Sequence, residues 1–325
     1  MYRIDDATAA TSLPAPEAAG TEGYFTEGNP ATGTPATKIR GSWLNMLQEE
    51  LCSILAAAGI ARSKASYNQV NSALQKMYSP VVGAARNLAM SVTAASATAT
   101  LTADQIIVAT ALNGQTFMLS NFNKTINLAT TGAGGMDTGT VPVSGYVALY
   151  AIYNPTTGTS ALLATNATSS VAPSVYGGVN MPSGYTASAL VSVWPTNGSS
   201  QFKNGTQRDR SIGIPTVNVL TTSTTNATYT SLSLSAAAPL NAKSIVGEMS
   251  VSSNTSGSNN LNIIIAADAN GSGRFPLVVG LTSASGYNQT VGISLILSAP
   301  QTLYYTTANG AGTPSFSIGI SGYNF

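Results

Sequence analysis

Beyond residue 110 the chain carries four carboxylates, Asp137, Asp209, Glu248 and Asp268. Hydrolysis of a glycosidic bond needs two such groups facing one cleft, so these four are the only material for it in that region. The long parallel β-helix repeat that often accompanies such chemistry is not visible. The chain has no histidine. That removes Ser-His-Asp and Cys-His activation and any zinc site built on imidazole. Cys52 is the sole cysteine. It lies on or near the apolar side of a helix, where a small buried hydrophobe is the simpler reading than a reactive thiol.

Two glycine-rich stretches resemble ligand loops and fall short of them. Gly132-Ala-Gly-Gly-Met-Asp137 lacks the third glycine and the following helix of a dinucleotide loop, since Thr140-Val-Pro142 comes next. Asp268-Ala-Asn-Gly-Ser-Gly273 has the oxygen ligands and glycine that open a calcium loop, but Val279 stands where a bidentate glutamate belongs. A hairpin turn on Asn270-Gly271 accounts for it. No cofactor and no metal is expected. Non-covalent sugar recognition asks for aromatic platforms beside amide donors. Tyr287-Asn288, Tyr304-Tyr305 with Asn309, and Tyr323-Asn324-Phe325 supply them, and ordinary strand packing would use the same residues.

Composition narrows the partners. Charged residues make up 8% of 325, with a net charge of +1, against about 25% charged in average soluble domains. Lysine and arginine never cluster, which argues against nucleic acid. Flat neutral surfaces favour association. Met1 to Asp6 lacks the pattern of a signal peptide, and no apolar run reaches the length of a membrane span, so neither export nor membrane insertion is expected.

Three regions must position these residues. Residues 1–80 begin with a Pro- and Gly-rich arm that needs a partner to order it. Helices follow within Gly41 to Tyr78, where apolar residues at 43, 44, 47, 51, 54, 55 and 58 form one stripe. Gly59 stops the first helix. A second is expected from Ser66, with Ser66 and Gln69 as a capping box, running to Pro80. The stripes are too broad for two helices, so Trp43, Leu47, Leu51, Val70 and Leu74 are expected to meet the β region or another copy. Residues 81–210 read as a β-rich body, with a hairpin at Asn113-Gly114 and a buried strand from Gly145 to Tyr153. Its far boundary is placed in the charge group Lys203, Arg208, Asp209 and Arg210. Residues 211–325 carry period-2 faces at Ile245, Gly247, Met249 and Val251, at Val291, Ile293, Leu295 and Leu297, and at Phe316, Ile318 and Ile320. About eight short strands there indicate a β-sandwich or jelly roll. The fold class is mainly β.

Two blocks carry a resemblance. Gly20-Thr-Glu-Gly-Tyr-Phe-Thr-Glu-Gly-Asn-Pro30, then Thr34 to Leu51 and Tyr67 to Leu74, resembles the N-terminal region of tailed-bacteriophage tail fibres. Asn121 to Gly135, Tyr146 to Pro155 and Ser192 to Asn197 resemble the body of the same fibres. From Ile212 onward only the style of a receptor-binding tip is recognisable. The resemblance implies a non-enzymatic virion protein, made in the host cytoplasm and assembled as a homotrimer. Its N-terminus would dock on a tail or baseplate protein, with Tyr24, Phe25, Trp43, Leu47 and Leu51 as the residues of tail attachment and assembly and Tyr24 and Phe25 as the anchors. Its tip would bind a bacterial surface glycan or outer-membrane protein, with Tyr287, Asn288, Tyr304, Tyr305, Asn309 and Tyr323 as candidates. A capsule or lipopolysaccharide depolymerase, or a structural fibre segment carrying a separate adhesin, remain the alternatives.

Overall fold

The computed structural model describes residues 1–254, 260–280 and 287–325, with the backbone alone at Tyr287. It divides into two compact units, Met1–Ser79 with Asn113–Gln115, and Pro80–Leu112 with Thr116–Phe325.

The first unit is built on α1 (Gly41–Ala57) and α2 (Gln69–Met77). Gly59 ends α1 as expected. It sits at φ 64°, and its N–H and that of Ile60 reach back to the carbonyls of Ala56 and Leu55. This is the paired bonding that a left-handed glycine permits. The expected capping box at Ser66 does not form. α2 starts three residues later, and Ser66 Oγ bonds Asn68 Oδ1 at 3.0 Å. Gln69 turns instead toward the interhelical linker, donating to the Ala61 carbonyl at 2.7 Å and accepting from the Ser63 N–H at 3.0 Å. Its buried amide has more to gain from satisfying that linker than from returning to an exposed cap. Cys52, Leu55, Ala58 and Ala73 are the buried apolar side chains of the two helices and their cap.

The second unit is mainly antiparallel β. In chain order its strands are β1 (Ala85–Arg86), β2 (Ala89–Val92), β3 (Thr98–Ala109), β4 (Thr116–Asn127), β5 (Tyr146–Asn154), β6 (Thr159–Asn166), β7 (Ala187–Pro195), β8 (Gly205–Arg208) and β9 (Ser211–Thr222). They continue with β10 (Asn226–Ser233), β11 (Ser244–Ser253), β12 (Leu261–Ala266), β13 (Phe275–Val279), β14 (Tyr287–Ile296), β15 (Thr302–Ala308) and β16 (Pro314–Asn324). The expected hairpin at Asn113 joins β3 to β4, with Asn113 at φ 65° and Val108 opposite Phe117. β5 is buried at every position but Tyr153, and β7 throughout. Both read as near-continuous small and apolar runs because both of their faces are covered.

Among the described residues, one sheet runs β14-β11-β16-β9-β8-β2-β3-β7-β5-β6, with β1 and β4 also paired to β3. A second runs β10-β15-β12-β13. Counting the strands of residues 211–325 from one to eight, the opposed layers read 6-3-8-1 and 2-7-4-5, which is jelly-roll connectivity. The three period-2 faces read from sequence coincide here. Met249 lies opposite Val291 on one side and Ile318 on the other, and Ile245 opposite Leu295 and Tyr323. They meet Leu261, Ile263, Ile265 and Leu303 of the second layer in one core.

The stretch expected to separate body from tip is a strand pair. β8 and β9 join through Thr206↔Gly213 and Gln207↔Ile212, turning at Asp209 with φ 49°. Residues 81–210 and 211–325 therefore share a sheet and a core.

Candidate functional surfaces

The residues expected to act at the N-terminus lie in the first unit. Tyr24 is 98% exposed, Trp43 41% and Leu47 45%, while Leu51 is half-buried. Phe25 meets Trp43 edge-on, ring centroids 5.2 Å apart. Leu44, Leu47, Leu51 and Ile54 follow one another at spacings of three, four and three. That is the rhythm of a helix seam met by another helix. Leu44 and Leu47 remain exposed, and Leu51 and Ile54 are half-buried.

The arm makes more specific contacts than its composition indicates. Arg3 pairs with Glu49 at 2.6 Å, Lys64 with Asp5 at 2.7 Å, and the Ile4 N–H donates to Gln48 Oε1 at 2.7 Å. Further along, Arg40 holds Glu17 at 2.8 Å. That hydrogen bond, with a smaller one from Ser42, brings the Glu17 carboxyl down to about 2. The pairs are exposed, so they set register more than stability. The Gly-Asn-Pro motif makes a turn. Asn29 Oδ1 accepts from the Ala31 N–H at 3.0 Å, a 3-10 turn spans Pro30–Thr32, and the Thr37 N–H closes on the Thr26 carbonyl at 2.9 Å. Gly28 sits at φ 73°, and a Cβ there would come 2.5 Å from the Thr34 carbonyl oxygen. Between arm and α1 lies a groove of about 790 Å³, lined by Leu13, Pro16, Tyr24, Phe25, Trp43 and Met46 among others.

The residues expected to form a receptor site do not form one cluster. Tyr323 is fully buried, and its hydroxyl donates to the Val193 carbonyl at 2.7 Å. Tyr305 points into the jelly-roll core at 8% exposure, accepting from Asn226 Nδ2 at 3.3 Å. Neither presents a ring at the surface, which corrects the expectation for both. The reason is register. β15 alternates faces, so Tyr304 and Tyr305 cannot share a side. Tyr304 is the outward one, half-buried and outside the core. Asn309 lies in the β15–β16 connection, donating to the Gly312 carbonyl at 2.9 Å. Asn288 is exposed on β14, opposite Ser252. The side chain of Tyr287 lies outside the described residues.

Sequence reading missed the companions of Tyr304. Alternation puts Ile264 of β12 and Val278 of β13 on the same outer face of the second sheet. Ile264 lies opposite Thr306, and Asn262 opposite Val278. Tyr229 of β10 adds a second ring, set against Gly271 so closely that a Cβ there would lie 2.9 Å from its edge. Alternation along β12, β13 and β15, applied as it was to β11, β14 and β16, would have found Ile264, Val278 and Tyr304, whereas Tyr229 lies within a register shift between Asn226 and Thr230 that breaks alternation.

Three of the four carboxylates hold local structure. Asp137 Oδ2 accepts from the Tyr176 hydroxyl at 2.9 Å and Oδ1 from the Thr138 N–H at 2.8 Å. Burial, and then this bond, push the Tyr176 phenol up to about 12. Asp209 accepts from the Leu88 N–H at 3.2 Å. Asp268 accepts from the N–H groups of Asn270 and Ser272 at 2.9 and 3.0 Å, folding its carboxylate into its own turn between β12 and β13. The Gly132–Gly135 stretch is likewise a turn, with the Gly132 N–H on the Met136 carbonyl at 2.7 Å. Cys52 is buried.

No protein-family model matches the chain. A stretch of 77 residues is 44% identical to the uncharacterized protein StfP of Escherichia coli strain K12. It spans 24% of this chain and 35% of the relative's length. Among solved structures, a tryptic core variant of Bacillus thuringiensis Cry1Da is 7% identical over 81% of this chain and 56% of that one, with a TM-score of 0.17. Similarity at that level carries no argument.

Proposed function

We propose that the chain is a non-enzymatic tail fibre of a tailed bacteriophage. Its N-terminal unit fastens to a tail or baseplate protein, and its C-terminal jelly roll engages a receptor on the bacterial surface during adsorption. The observation that carries this reading is the contrast between the two ends. The first unit exposes Tyr24, Phe25, Trp43, Leu44, Met46 and Leu47 around a very small core. Such a surface is left for a partner to cover. The described residues of 211–325 instead form a cored jelly roll, and that stretch carries four charged side chains.

The sequence resemblance, in both its blocks, supports the same reading. A homotrimer is part of it, and the Leu44-Leu47-Leu51-Ile54 seam is the element that would bring copies together. Three copies would convert weak surface contacts into avidity.

The test is competition. Purified full-length protein, added to bacteria before phage carrying the same fibre, is expected to lower the adsorption rate in a dose-dependent way. Unchanged adsorption at saturating protein would refute the receptor-binding role.

A further inference from the structure

The outer face around Tyr304 combines aromatic and aliphatic side chains with neutral polar ones. β10, β12, β13 and β15 contain no Asp, Glu, Lys or Arg, and the nearest charges in sequence are Asp268 and Arg274 in the connection between β12 and β13. Tyr229, Ile264 and Tyr304 are half-buried yet lie outside the core, and Val278 is 61% exposed. They are spaced by polar uncharged groups. Ser231 lies opposite Tyr304, Thr306 opposite Ile264, and Asn262 opposite Val278. The outer face of the other layer differs. Its strands carry Glu248, and a Ser250–Ser317 hydroxyl pair at 2.6 Å, with glycines at 292 and 319.

We infer that the outer face of the β10-β15-β12-β13 sheet is a docking surface for an uncharged bacterial glycan. This rests on the receptor-binding reading above and names its site and ligand class. A pyranose has an apolar face of C–H groups and a rim of hydroxyls. The tyrosine rings and Ile264 match the first, and the hydroxyls and amide of Thr306, Ser231 and Asn262 match the second. The four strands carry no cation, so apart from Arg274 in the β12–β13 connection the face offers no charged partner to uronate, sialate or phosphate groups. The tyrosines would suit a protein partner too, but the Ser and Thr between them are under-represented among the residues that carry protein–protein binding. Gly271 contributes by leaving room for the edge of the Tyr229 ring against the β12–β13 turn.

The experiment uses fluorescently labelled full-length protein on whole bacteria that it stains. Cells are taken untreated, after periodate, which cleaves vicinal diols of sugars, or after protease. Staining is expected to fall on periodate treatment and to survive protease. It is also expected to stay constant between about 50 mM and about 500 mM salt, because no ion pair is being screened. Tyr304→Ala and Tyr229→Ala are each expected to weaken staining about fivefold to tenfold, the worth of one stacked ring. Tyr304→Phe should retain it. Both alanine variants should keep the wild-type melting temperature, since neither ring packs in the core. Staining that survives periodate, or that both alanine variants leave intact, overturns the inference while leaving the adsorption reading in place. A change in solution mass in Tyr304→Ala would overturn it too, by making the face a contact between copies. If no bacterial strain is stained and adsorption is not blocked, the receptor-binding reading itself fails.

Discussion

The Tyr323 hydroxyl donates to the Val193 carbonyl at 2.7 Å, joining β16 to β7 across 130 positions of the chain. Both ends of the bond are buried. One belongs to the strand that runs through the centre of the jelly roll, the other to a central strand of the preceding body. Tyr323→Phe is expected to cost about 1–2 kcal/mol, because the Val193 carbonyl then lacks its partner without access to water. Tyr323→Ala adds a large cavity and is expected to cost about 3–5 kcal/mol. Because the bond spans body and jelly roll, both variants should lower a single unfolding transition for residues 80–325. Calorimetry showing that only the jelly roll melts earlier would contradict this.

Alkaline pH tests the same core. Burial raises the phenols of Tyr146, Tyr150 and Tyr323 above their ordinary range. The folded state then keeps protons that the unfolded chain releases near pH 10. Stability from this source is complete below that pH and declines as pH rises above it, by about 1.4 kcal/mol per pH unit for each such group. Tyrosinate absorbance of these buried rings should therefore appear only together with unfolding. A single smooth titration of all tyrosines in folded protein would contradict the burial.

Gly247 sits at a close approach of strands. A Cβ there would lie 2.1 Å from the Gly319 carbonyl oxygen and 2.9 Å from the Ile320 Cα. Both contacts are backbone, so neither can step aside. Gly247→Ala is expected to destabilise by about 3 kcal/mol or more, whereas Gly280→Ala, which meets nothing within 4 Å among the described residues, should change little. Denaturant midpoints of the two variants decide it.

In the N-terminal unit, Leu47→Glu and Leu51→Glu place charge on the exposed seam of α1. The expected outcome is a fall in solution mass toward the monomer by light scattering, with the melting of the β unit unchanged. An unchanged mass would show that the seam is not what joins copies.

The jelly roll was legible in sequence wherever one face of a strand is buried. Ile245, Met249, Val291, Leu295, Phe316 and Ile318 announced their strands and, by alternation, their common core. The same rule separates Tyr304 from Tyr305, and grouping them by adjacency was what misplaced the candidate site. Tyr323 was unreadable as a core residue because β16 crosses a register shift between Ile320 and Gly322, which breaks simple alternation. Ser66 and Gln69 matched a capping box in spacing alone. The buried amide of Gln69 instead went to the Ala61–Ser63 linker, a tertiary demand that no local pattern reports. The arm hid its turn for a related reason, since Gly28 and Asn29 act through backbone geometry and leave no periodicity.

The most direct test of the account is to locate the protein on virions. Gold-labelled antibody raised against the full chain, applied to phage particles whose genome encodes it, is expected to decorate the fibres at the tail end. Labelling confined to capsids, or intact particles that carry none of the protein, would contradict the central claim.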